Sequence, residues 1–206
     1  MAPMKTAALA SGSGIPAVGD PSNLVVQLGL PAGPDEASGS GVERVAWNDL
    51  AGFRDTLVCG LEWPAILRAA ELARLGHHRE LLELDRAFGR GLPSHLAQAS
   101  CCVGRRQLAR LRSLRDQRTI QRYLDAIEAG EAKGWNPIVY GVVLAVFGIP
   151  FRQGILHYAT AVLSSHFGAV PGGNSTVAGR LDTLLAPLPQ AANALLGPGS
   201  ASLIAK

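Results

Sequence analysis

Residues 94–118, SHLAQASCCVGRRQLARLRSLRDQR, hold the chain's densest set of chemically capable side chains. Cys101 and Cys102 are adjacent, His95 lies upstream, and six arginines follow. His77-His78 lies further upstream, and Cys59 is the third cysteine. A metal site, a nucleic-acid grip and a helix face docking on another protein could each use such residues. Zinc sites usually place cysteines two to four residues apart, in turns. Adjacent cysteines on a helix project about 100° apart and cannot easily face one ion. Small apolar residues in a packing seam are the better account of Cys101 and Cys102. No metal site is expected, and His77-His78 falls in a turn between helices.

Residues 105–122 carry seven arginines and one aspartate. At about 100° per residue, Ala97, Cys101, Gly104, Leu108 and Leu111 make the buried stripe of one helix. Arg105 and Arg112 flank that stripe, while Arg106 and Arg110 lie opposite. A phosphate-tracking face would gather the arginines on one side with aromatic residues nearby. The acidic EAGEA at 128–132 dilutes the charge further. A solvated helix face or a docking face for an acidic protein fits better. A helical nucleic-acid or regulatory binder using an arginine-rich helix over 105–122 is the alternative. Enzyme signatures are poor, with no P-loop, G-x-S-x-G or H-E-x-x-H. His157, Tyr158 and Tyr140 are the set from which a small-molecule site could be built. No catalytic residue and no cofactor is expected.

These residues need elements to hold them. The chain has 206 residues, 48% of them hydrophobic, 17% charged and 5% aromatic, with net charge +3. That is long enough for a real core, and the apolar surplus suggests surface covered by a partner. Three cysteines, two of them neighbours, do not make a disulfide framework, so a reducing, cytoplasmic setting is expected. The N-terminal Ala/Leu run is too short for a signal peptide. The apolar run 137–151 falls short of the roughly 18–20 residues of a membrane span.

From Trp47 onward the chain reads as helices separated by short turns. Asn48 offers a cap, Pro64 suits a first helical turn, and Gly76 suits a helix end. RELLELDRAF, the basic helix begun by Ser94, and TIQRYLDAIEAGEA follow. Asn136-Pro137 opens a helix apolar on every side, which belongs in a core. Pro150 opens another, and the last helix covers about Val177 to Leu185. The expectation is an all-α, single-domain bundle of about eight to ten helices. Residues 1–23 form a flexible N-terminal segment, 24–185 the helical domain, and 186–206 a flexible tail.

The order of segments resembles the UreF family of urease accessory proteins. The residues carrying the resemblance are Glu83-Leu84-Asp85 before a Gly/Pro break, then Ala99-Ser100 with Gly104-Arg105, then the apolar helix pair that begins at Pro137 and turns at Gly148-Ile149-Pro150. The likeness is strongest over 48–167. LPAGPDEASGSGVE resembles the family's N-terminal signature through Leu30, Pro31, Gly33, Gly41 and Glu43, but is one residue longer and lacks its aromatic residue. AVPGGNSTVAGR keeps Pro171, Gly172 or Gly173, and Gly179 of the C-terminal signature, with Ala169 at its basic position and Arg180 as the nearest replacement.

The resemblance implies a non-enzymatic scaffold that dimerises and joins a UreD/UreH-type protein to a UreG-type GTPase for nickel delivery to apo-urease. Nickel and GTP then belong to the partners. On this view Glu43, Gly104, Arg105, Arg106, Arg112, Pro171, Gly172, Gly173, Gly179 and Arg180 are the candidate partner-binding residues. Gly104 would allow close helix approach, and the segment 171–206 would fold onto the second accessory protein. No nucleic acid and no membrane is expected as a partner.

Overall fold

The computed structural model describes residues 50–92, 94–164 and 175–197; the side chains of Ser94, His95 and residues 175–178 are not among those described. Residues 1–49 lie outside it, with Asn48 and Glu43, as do Pro171, Gly172 and Gly173. Every element among the described residues is helical. In chain order they are a π-helical segment Phe53–Glu62, α1 Trp63–Leu75, α2 His78–Phe88, α3 Ser94–Arg110, α4 Arg118–Glu128, α5 Asn136–Val146, α6 Phe151–Ser164, α7 Ser175–Leu185 and α8 Leu188–Leu196. No helix of the described residues is long and apolar enough to cross a membrane.

Three local outcomes differ from the sequence expectation. The helix is continuous from Leu50 to Leu75, so Pro64 sits inside a rod rather than at a fresh start. An α-helix interior would set the proline ring against the carbonyl four residues back. The preceding turns are wider, and the Trp63 N–H reaches five residues back to the Val58 carbonyl. Second, the basic helix stops at Arg110, and α4 begins only at Arg118, so no single arginine-rich helix spans 105–122. Gln121 Nε2 holds the intervening turn by donating to the Arg112 and Leu114 carbonyls at 3.2 and 3.0 Å. Third, helix continues into the segment expected as tail. Pro187 stands before α8 and Pro189 in its first turn, positions that need no amide donor. Leu188 and Ala192 are buried against α6.

α1 and α5 make the central wall. They approach closely because small residues meet there: a Cβ on Gly141 would lie 2.8 Å from Ala69 Cβ and 3.1 Å from the Ala70 nitrogen. Every residue from Asn136 to Leu144 is buried, as an all-round apolar helix requires. One core lies between this wall and α2, α3 and α4, built from Leu72, Leu81, Leu108, Ile120 and Tyr123. The other joins Ile66, Ile155, Leu163, Leu184 and Leu188 from α1, α6, α7 and α8. Each such buried side chain contributes about 1.5–3 kcal/mol. Arg54 in the π-helical segment donates to the Leu184 carbonyl at 3.0 Å and so closes the end of α7.

Candidate functional site

The residues that carry the sequence motifs converge on one loop, 129–135, which joins α4 to α5. Asp85 belongs to the core stripe Leu81, Leu82, Asp85, Phe88 of α2 and is fully buried. Its carboxylate accepts from the Tyr123 hydroxyl at 2.5 Å, the Lys133 amide at 2.5 Å and the Gly134 amide at 3.0 Å. Its carbonyl accepts from Trp135 Nε1 at 2.8 Å. Burial, reinforced by the Asp85 carboxylate, pushes the Tyr123 hydroxyl well above its ordinary pKa. One side chain thus ties α2 to α4 and to both ends of a bend.

α3 closes the loop from the other side. A Cβ on Gly104 would stand 2.8 Å from the Asn136 nitrogen, 2.9 Å from the Trp135 carbonyl carbon and nearer still to the Gly134 oxygen. Gly104 therefore admits this loop rather than another helix. Ser100 Oγ accepts from the Asn136 amide at 3.2 Å. Arg105 Nε donates to the Lys133 carbonyl at 2.8 Å, and Arg86 Nε to the Glu131 carbonyl at 2.9 Å. Gly134 takes the left-handed conformation the bend needs, at φ 71°. The loop is held on all sides, yet Glu128, Glu131 and Lys133 remain exposed. Such a rigid edge can recognise another protein through placed charges and exposed backbone.

A second polar group lies in the central wall. Glu62, at the end of the π-helical segment, is fully buried. The Tyr158 hydroxyl is its hydrogen-bond partner, and it also accepts from Asn136 Nδ2 at 3.1 Å. Glu62 Oε2, Trp63 Nε1 and Asn136 Oδ1 have no partner. Burial pushes the Glu62 carboxyl up to about 8.

The cysteines and the remaining candidates do not join the clamped loop. Cys101 packs half-buried at the edge of the core, but Cys102 is exposed and is not a seam residue. Burial raises the Cys101 and Cys59 thiols to about 11, which leaves them protonated and unreactive. No group of three or more metal-ligating residues occurs among the described residues. Tyr158 is deep in the wall beside Glu62 and His157 is exposed, but Tyr140 joins them: its hydroxyl lies 3.4 Å from His157 Nδ1 and its ring packs 4.9 Å from that of Tyr158. Tyr140 donates to the Gly154 carbonyl at 3.1 Å. Arg106 is exposed and has no ion pair among the described residues, while Arg112 is turned onto Glu128. Gly179 is exposed on α7, and Arg180 beside it is half-buried.

Sequence reasoning passed over Asp85 and Glu62 as site residues. The signal was present: each is an acid at a core position of a helical stripe, Leu81-Asp85-Phe88 and Val58-Glu62-Ile66. The family model UreF matches residues 50–170, which takes in the π-helical segment, the clamped loop and the apolar helix pair. Comparison with curated proteins returns no match, and comparison with solved structures returns none. With the family match covering more than half of its length, the chain belongs to the UreF family of urease accessory proteins.

Proposed function

We propose that this chain is a non-catalytic adaptor that bridges a UreD/UreH-type protein and a UreG-type GTPase during nickel insertion into apo-urease. UreF family members are accessory proteins rather than catalysts. The observation that carries the reading is the convergence of Asp85, Ser100, Gly104 and Arg105 on one loop within the region matched by the family model. Spending four motif residues on holding a surface loop makes sense if the loop's shape is what a partner reads. Glu131, Lys133 and exposed arginines of α3, Arg106 among them, would meet the partner. Nickel is cargo and GTP belongs to the GTPase, so this chain needs neither. A homodimer in the cytoplasm is the expected working form. The segment 171–206, with α7 and α8 at its centre, and Gly179 and Arg180 on it, would serve the UreD/UreH-type partner.

Co-expression with the UreD/UreH-type and UreG-type proteins of the same genome, followed by size exclusion with and without GTP and nickel, tests this. A stable complex is expected, weakened when Glu131 and Lys133 are exchanged for opposite charges. No complex under any condition overturns it.

A further inference from the structure

A second surface feature stands apart from the clamped loop's contacts. A small pocket opens where the end of α1 (Leu72, Ala73, Gly76), the start of α2 (His78, Leu81) and the start of α4 (Arg118, Thr119, Arg122) meet. Its lining joins apolar Leu72, Ala73 and Leu81 to polar side chains, none of them acidic. Arg118 and Arg122 stand one turn apart on α4, and neither has an ion-pair partner among the described residues. Like charges at that spacing repel, so the fold keeps an uncompensated pair beside a concavity. His78 faces them from a different helix. Its Nδ1 is shielded from solvent and has no hydrogen-bond partner. Burial, with Arg122 adding to it, lowers the His78 pKa, while Glu131 acts the other way. Glu131, though, is taken up by Arg86, at 3.9 Å between the charged groups. The side chain of Gln117, preceding α4, makes no capping hydrogen bond.

We infer that this pocket binds an oxyanion of the carboxylate or phosphate class, gripped by Arg118 and Arg122 with Thr119 and His78 completing the wall. An anion there relieves the arginine repulsion and supplies charge-assisted hydrogen bonds to both guanidinium groups. The Thr119 hydroxyl and, in its N–H tautomer, His78 Nδ1 are further donors. Eight residues from three helix ends line the pocket. It suits a single acidic group, whether a free phosphate ion or a carboxylate presented by a partner protein.

The full-length chain decides the matter by titration with inorganic phosphate, and separately with a hexaglutamate peptide, at constant ionic strength. Side-chain NMR signals of the arginines and of His78 report occupancy. A saturable shift in wild type is expected, weakened about tenfold or more in Arg118→Gln and Arg122→Gln, the scale of losing a charged hydrogen bond. Arg90→Gln, an exposed arginine that does not line the pocket, should bind as wild type does. Tighter binding of the peptide assigns the site to a partner carboxylate, and binding of phosphate alone assigns it to a free ion. No saturable shift with either probe, or equal shifts in all four proteins, overturns the inference. The result is independent of urease-accessory assembly, because only this chain and the probes are present.

Discussion

Asp85 and Glu62 are both buried acids on core-facing helical stripes, and the fold treats them in opposite ways. Asp85 receives three hydrogen bonds on its carboxylate and a fourth on its carbonyl. Glu62 has one partner, Tyr158, and an oxygen with none. The first is a keystone that fixes a surface loop. The second is a poorly satisfied group in the wall between two cores. Equal burial therefore says little about what an acid does; the donors around it decide.

The comparison breaks first if Asp85 is not a keystone. Asp85→Ala strands the Tyr123 hydroxyl and the Lys133 and Gly134 amides. A loss of about 3–5 kcal/mol in urea unfolding is expected, the scale of removing one partner from a buried charged network. Asp85→Asn keeps an acceptor and should lose less. A change under about 1 kcal/mol for Asp85→Ala would mean the loop finds other donors and acceptors.

Glu62 makes a prediction of the other kind, in pH. Its carboxyl titrates near the ordinary 4.5 when unfolded and at about 8 when folded. Between those values the folded chain holds a proton that the unfolded chain has released. The stability that this carboxyl contributes is thus full below about 4.5, falls as pH rises, and levels off above about 8. At about 1.4 kcal/mol per pKa unit the decline is a few kcal/mol. Glu62→Gln cannot ionise, so its stability should stay nearly level over that interval and exceed wild type at pH 8. Parallel pH profiles for the two proteins would show that Glu62 is already solvated or paired.

Gly104→Ala tests the loop's fit from α3. The added methyl group meets backbone of residues 134–136 rather than a movable side chain tip. Overpacking of this kind costs about 1–3 kcal/mol. A thermal shift matching that loss is expected, together with altered amide signals at Lys133 and Gly134. Unchanged stability and unchanged signals would remove Gly104 from the clamp.

How much of this was legible beforehand differs element by element. The all-helical class, the buried α5 and the ends at Gly76 and near Gly89 followed from local pattern and caps. The widened turns before Pro64 did not, because their bonding answers to a ring clash that composition does not display. The end of α3 at Arg110 was hidden by Leu108 and Leu111, which prolong the apolar stripe past it. Side-chain bonds from Gln121, on the next helix, hold the break. α8 was hidden by its prolines, which mark a tail as readily as a helix start. At the site, the motif pairs at 85, 100 and 104–105 were visible as letters. That they close on 131–136 was not, since those contacts join residues 28 to 50 positions apart.

Arg105 sharpens the comparison at its small end. Its bond to the Lys133 carbonyl is exposed to water, unlike those of Asp85. Water can replace it, so Arg105→Ala should cost no more than about 1 kcal/mol of stability. Its larger effect should fall on assembly, because the same side chain both steadies the loop and borders it. Urea unfolding and co-purification with the accessory partners, run on the same preparations, separate the two. Near-wild-type stability with a weakened complex would make the loop edge a recognition surface. Near-wild-type stability with an intact complex would leave the clamp as architecture and move the docking face elsewhere on the bundle. The value of Arg105 is that its bond to the loop, like that of Arg86, is exposed, so it can be removed without disturbing the buried network that Asp85 commands.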